Sequence, residues 1–433
     1  MSSHAQSLVI SAAVALLACQ QVSEAAALGD TVSRRPFPQH VTYAEGTILP
    51  DHRTRTQLDD DVRNYYGEWK ASYLVSAGST NDGHALYRVS FGSTDPARTV
   101  SEGQGYGMMI VVYMAGHDPD ARQLFDGLWR FARAHPSGID PRLMNWEVPE
   151  DPDAASSAFD GDCDIAFALL LAHAQWGSRG PVNYRAEALT VIEAILESTI
   201  GPDSHLPMLG DWTEADGSTY NQYTPRPSDF MPDHFHAFRD ATGDSAWDEV
   251  VTATQDVVNS IQSHYSPMTG LVPDFVVPSL NNELTPKPAP PNFLEGPYDG
   301  DYYFNAGRVP WRLGVDAVVR GDSVSLEQTR RISRWVVGAA ATDPRRIHAG
   351  YMLSGAPLPE SDYFTILFAA PLGVAAMTDP DAQQWLNDLY DTVYATHEDY
   401  YEDSVALLCQ LVMTGNSWAP PTPRRRPVHR PRD

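Results

Sequence analysis

Cysteine is scarce in this chain, with three in 433 residues. That excludes a small scaffold stapled by disulfides, so the fold must rest on a packed core. Long apolar runs are missing too. The longest at the N-terminus, Leu8 to Ala18, is too short to span a bilayer, and no later segment could cross one. Positive charge is in deficit: 30 Lys and Arg against 56 Asp and Glu give a net charge of −26 and a pI near 4.7. Phosphate would be repelled, which excludes nucleic-acid binding over the main surface and favours a neutral or cationic substrate. No HExxH, paired CxxC, P-loop or GxSxG occurs, so metal, nucleotide and serine-elbow chemistry have no motif behind them. Neither a metal nor another cofactor is expected.

What is present is an ordinary globular balance, 42% hydrophobic and 20% charged. Small residues follow the apolar run, as at a secretory cleavage region, and residues 1–28 read as a leader. Export to the periplasm or the medium is the expectation. "LLAC" offers the alternative of a lipid anchor on Cys19 at the cell surface. Residues 29–60 read as an N-terminal extension, 61–416 as one domain, and the basic, Pro-rich residues 417–433 as a disordered tail. Cys163 and Cys409 sit in apolar helical patterns and read as buried thiols, although pairing between them stays open. A monomer is expected.

Apolar residues recur at three- and four-residue spacing through twelve segments: 62–74, 101–117, 119–135, 160–177, 184–199, 228–241, 244–263, 304–321, 324–341, 361–378, 380–396 and 402–413. Short turns such as "HDPDA" and "ATGDSAW" alternate with longer loops, and strand-like patterns are few. Six helical hairpins closed into a ring, an all-α (α/α)6 barrel, fit this arrangement. The one long irregular stretch, 265–300, ends in "FLEGPYDGDYYFNAGRVPWR", and loops of that length are usually functional or disordered.

Three segments carry ionisable groups in suggestive places. In "VSEGQGYGMMIVVYM", Glu102 stands at a helix start, and Gly103, Gly105 and Gly107 would admit a close backbone approach or tight helix packing. The plainer reading of Glu102 is a first-turn acid favoured by the helix dipole. In "FDGDCDIAFALLLAHAQWG", Asp160, Asp162 and Asp164 precede an apolar helix, and a calcium loop fails for want of a glutamate at its twelfth position. His173 on that helix reads as a satisfied core histidine. Aromatic residues cluster with acids at loop ends: Trp146, Trp212, Tyr302, Tyr303 and Trp311. Each alone is core or rim, but an acidic cleft with exposed rings suits a polysaccharide, and glycoside hydrolysis needs one protonated and one ionised carboxyl group.

Taken in order, "SEGQGYGMMIVVYM", "DGDCDIAFALLLAHAQW", "GDW" and "NAGRVPWR" resemble the motifs of glycoside hydrolase family 8 over roughly residues 60–415. Phe159 departs from the Ser or Thr preferred before the aspartate. The resemblance implies an (α/α)6 barrel and inverting hydrolysis of β-1,4 glycans. It matches Glu102 to the general acid and Asp160 to a residue gripping the sugar, with Asp162 nearby. Arg308 matches a substrate-side arginine, and Trp146 and Trp212 match stacking positions; Tyr303 and Asn305 are counted as further substrate-binding residues. One branch of the family has an aspartate base where this chain has Asn305, and an amide cannot take a proton from water near neutral pH. Another branch has asparagine there and a glutamate base in "FLE", which here is Glu295. Asp299 and Asp301 are the alternatives for the base, or Glu295 is a plain surface acid. The expected substrate is a β-1,4-glucan, cellulose or mixed-linkage, ahead of chitosan and xylan. A non-catalytic glycan-binding or polysaccharide-assembly protein is the reading from another class.

Overall fold

The computed structural model describes residues 32–151, 154–279 and 285–421. The leader, Cys19 and the tail beyond 421 lie outside those residues. Twelve longer helices follow one another: α1 Arg55–Tyr73, α2 Ser101–Tyr113, α3 Ala121–Ala134, α4 Phe159–Trp176, α5 Tyr184–Ser198, α6 Pro232–Thr242, α7 Ala246–His264, α8 Val309–Val315, α9 Ser323–Ala339, α10 Ile366–Ala376, α11 Gln383–Tyr394 and α12 Tyr400–Met413. A π-helical turn, Asp316–Arg320, extends α8. Each overlaps one of the segments expected from periodicity, with ends displaced by a few residues in most and with α1 starting at Arg55, inside the stretch read as an N-terminal extension.

The even-numbered helices pack in sequence, α2 on α4, α4 on α6, α6 on α8, α8 on α10, α10 on α12 and α12 back on α2, which closes a ring. Their composition explains the position. In α4 and α10 nearly every residue is buried on all sides, whereas the outer helices α3, α7, α9 and α11 bury only one stripe. Caps set the entry of several helices. At α1, Thr54 accepts from Gln57 N while the Gln57 side chain accepts from Thr54 N; at α9, Asp322 accepts from Val324 N and Ser325 N. Two-stranded pairs decorate the loops: β1 Leu74–Ser79 with β2 Ala85–Val89, β3 Thr99–Val100 with β4 Glu147–Val148, and β5 Val276–Pro278 with β6 Pro286–Pro288.

Inner helices α2, α4, α6, α8 and α10 begin after long loops and end in short ones, and α12 follows α11 across residues 395–399; their N-termini gather at one end of the barrel. The opposite end is closed by residues 32–54. Backbone N–H groups of Arg34, Phe37, Val41, Ala44 and Ile48 donate to carbonyls of Gln175, Ala115, Gly415, Val318 and Met377, at or just past the C-termini of five inner helices. The extension is therefore a structural cover for the barrel floor. The chain also stays packed past residue 417, where a disordered tail was expected: Trp418 is buried and its carbonyl accepts from Tyr113 Oη. Cys163 and Cys409 are buried free thiols.

Two glycines decide how closely α2 and α4 approach. A Cβ on Gly161 would fall 2.2 Å from Ser101 Oγ, and one on Gly105 would fall 2.7 Å from Asp164 Cβ. Tight helix packing is thus what Gly105, beside Glu102, and Gly161, beside Asp160, serve, and it brings Glu102 and Asp160 to a common centre.

Candidate active site

Glu102 and Asp160 are each the second residue of an inner helix, α2 and α4. Between them lies Arg308, buried just ahead of α8, whose guanidinium is fully engaged. Nη1 donates to Glu102 Oε2 at 2.5 Å, to Asp160 Oδ2 at 2.8 Å and to Tyr106 Oη at 3.3 Å. Nη2 donates to Ser228 Oγ at 2.9 Å and Asn305 Oδ1 at 3.1 Å. Asn305 passes the link on, its Nδ2 donating to Glu295 Oε2 at 2.8 Å. One relay of short contacts therefore joins Glu102 to Glu295. Glu102's side chain is 15% exposed and Glu295's 49%, so both carboxyls reach solvent while Arg308 and Asp160 form the floor beneath.

The electrostatics separate the carboxyls. Burial pushes Glu102 up to about 7, against the pull of Arg308 and with Asp160 adding to the rise. Burial works the same way on Asp160, but Arg226 and Arg308 outweigh it and hold that carboxyl well below its usual range. A proton-holding acid thus sits beside a permanently ionised one.

The remaining candidates divide. Trp146 and Trp212 are partly exposed rings. Trp146 belongs to the Glu102 side, since its carbonyl accepts from Ser101 N at 2.9 Å. Trp212 belongs to the Glu295 side, edge-on to Tyr220 at 5.3 Å, which in turn meets Phe293 at 5.2 Å. Tyr303 is half-buried beside Tyr298. Asp162 is not in the cleft: its Oδ1 accepts from Met144 N at 2.8 Å and burial pushes its carboxyl well up, so it pins the loop behind the site instead of holding sugar. Arg308 likewise has its donors spent on protein groups, which makes it a positioning residue and not a substrate contact. Asn305 is 9% exposed and orients Glu295. Asp299 accepts from the N–H groups of Leu294, Glu295 and Gly296, and so shapes the turn that carries Glu295. Asp164 accepts two bonds from Arg312 and faces His234 Nε2 at 2.9 Å. His173 faces Ser178 Oγ at 2.8 Å.

Two residues escaped the sequence reading. Arg226, in "PRPSDF", lies 3.7 Å from Asp160, 3.2 Å from Asp229 and 3.6 Å from Glu295. Asp274, in "GLVPDFVVP", accepts from the N–H groups of Tyr303, Asn305 and Ala306, and burial pushes it up to about 7. Both stand in loops, Arg226 between two prolines and Asp274 in an otherwise apolar run, so no helical periodicity marks them.

A model of the glycosyl hydrolases family 8 matches residues 59–415. The chain belongs to glycoside hydrolase family 8. This glycoside hydrolase is 42% identical over 388 residues to a beta-glucanase of Niallia circulans, covering 89% of this chain and 91% of that one. It is 40% identical to an endoglucanase of Bacillus sp. (strain KSM-330), covering 89% and 82%. Among solved structures, the apo beta-1,3-1,4-glucanase from Paenibacillus sp. X4 superposes with a TM-score of 0.84 at 40% identity, over 90% of this chain and all of that one. The closed ring of inner helices described above is the family's (α/α)6 barrel.

Proposed function

We propose that this family 8 hydrolase is an inverting endo-acting β-glucanase that cleaves β-1,4 bonds, with Glu102 as general acid and Glu295 as general base. The observation that carries this is the relay from Glu102 through Arg308 and Asn305 to Glu295, which pairs a carboxyl raised to about 7 with a second, more exposed carboxyl. The glycosidic oxygen takes the proton of Glu102 as the bond breaks, and the new carboxylate finds the Arg308 guanidinium already at 2.5 Å. Glu295 takes a proton from the attacking water. Inverting enzymes hold their carboxyls roughly 6.5–9.5 Å apart to admit that water. Glu295 is favoured over Asp299, whose oxygens are taken by backbone N–H groups, and over Asp301, since Glu295 is the acid that Asn305 holds.

A glucan is favoured because relatives at 40–42% identity bear the names endoglucanase and beta-glucanase. The net charge of −26 leaves chitosan as the competing substrate. Reducing-end assays run side by side on lichenan, carboxymethylcellulose, xylan and chitosan decide between them: the glucan reading requires the highest kcat/KM on the first or second, and chitosan ranking first overturns it. Export through the N-terminal leader belongs to the same reading, since a polymer substrate lies outside the cell.

A further inference from the structure

Helix α8 and its π-turn place Arg308, Arg312, Asp316 and Arg320 four residues apart, on one stripe down the barrel. Arg308 serves the cleft and Arg312 pairs with Asp164. Arg320 pairs with Asp233 at 2.6 Å and Asp240 at 3.4 Å. Asp316 is the exception. It is fully buried, and while its Oδ2 accepts from Ser325 Oγ at 2.7 Å, its Oδ1 has no hydrogen-bond partner. A buried carboxylate oxygen left unpaired is costly and calls for an explanation. His236 Nε2 lies 3.7 Å from that oxygen, too far for a hydrogen bond. Donor atoms, one each from His236, Asp316 and Asp322, lie within 4.8 Å of one another. His236 and Asp322 line a recess of about 500 Å³ whose wall also carries Asp240, Asp248, Arg239 and Arg320, with Asp316 buried behind it.

From this geometry we infer that His236, Asp316 and Asp322 form a site for a first-row divalent cation of the zinc type, two helical turns down α8 from Arg308 and separate from the cleft. An imidazole with two carboxylates is a borderline donor set that suits such an ion better than calcium or magnesium, which prefer all-oxygen shells. The three donor atoms lie within 4.8 Å of one another, and the recess beside His236 and Asp322 leaves room for water as a fourth ligand. Carboxylates outnumber arginines here: Asp233, Asp240, Asp248, Asp316 and Asp322 face Arg239 and Arg320, and each arginine is already paired. Bound, the ion would tie α6 to the π-turn of α8 and to the cap of α9. The ligands come from two distant stretches, α6 and the junction of α8 with α9, which is why no sequence motif announces them.

The test uses the full chain, stripped with a chelator and titrated with Co²⁺ while visible absorption is followed, then with Zn²⁺ while Tm is followed. One equivalent of Co²⁺ is expected to give ligand-field bands that Zn²⁺ abolishes, and Zn²⁺ is expected to raise Tm by several degrees. H236Q and D316N should each weaken binding at least about ten-fold. His236 is partly exposed, so H236Q keeps the test open if D316N does not fold. No bands on titration, unchanged affinity in H236Q, or an equal Tm rise with Ca²⁺ would each overturn the assignment.

Discussion

Replacing Glu102 by Gln should make the protein more stable in mild alkali while removing its activity. An ordinary glutamate titrates near 4.5, and in the folded chain Glu102 titrates near 7 because burial disfavours its charge more than Arg308 favours it. Between those values the native state binds a proton that the unfolded chain releases, so this group's contribution is whole below about 4.5 and is lost as pH rises through 7. Each pK unit is worth about 1.36 kcal/mol, so the loss totals roughly 3 kcal/mol, most of it between pH 5 and pH 8. Glutamine keeps the shape and the neutral state at every pH. Whatever fixed offset the change brings, the stability gap between variant and wild type should therefore widen by roughly 2–3 kcal/mol from pH 5 to pH 8 in favour of the variant. Urea unfolding at the two pH values, with m-values checked for constancy, measures it. A gap that stays flat within about 0.5 kcal/mol, or widens the other way, refutes a raised Glu102 and with it the acid's protonation at working pH. The same premise requires wild-type kcat/KM to fall on the alkaline side with a midpoint near 7.

Arg308→Met removes the charge nearest Glu102. A charge-assisted hydrogen bond is worth about 1.5–3 kcal/mol, so the alkaline limb of the pH–rate profile should move up by about 1–2 units while kcat drops at least about 100-fold; an unmoved limb would show that Arg308 does not contact the acid. Asp160→Asn and Asp162→Asn should differ sharply. The first strips an ionised partner from Arg226 and Arg308 and should lower kcat by orders of magnitude, whereas the second replaces an already neutral, loop-pinning group and should stay within a few-fold of wild type. Equal losses in both would return Asp162 to the substrate-binding set. Trp212→Ala should raise KM for a polymeric glucan about ten-fold, from roughly 1–2 kcal/mol of lost ring contact, with kcat nearly kept; a fall in kcat alone would deny it a stacking role.

Helices were legible in the sequence because burial of a helix face imposes a 3.6-residue rhythm that any reader of the chain can count. The ring followed from the alternation of short and long connections, and the all-round apolar character of α4 and α10 marks the inner wall. Glu102 and Asp160 could be singled out as acids at helix starts, but their roles were reached from the family resemblance. Glu295 was reached from the resemblance and the ten-residue offset to Asn305, and not from any pattern of its own. Tertiary structure alone separated the roles. Asp160 and Asp162 are two residues apart on one helix, yet a turn of about 200° between such positions sends one to Arg308 and the other to a backbone N–H behind the wall. Arg226, Asp274 and the trio His236, Asp316 and Asp322 gain meaning only from neighbours distant in the chain. Local rhythm records what a residue's own element buries, whereas charge partners, desolvation and shared protons depend on distances that exist only after the barrel has closed.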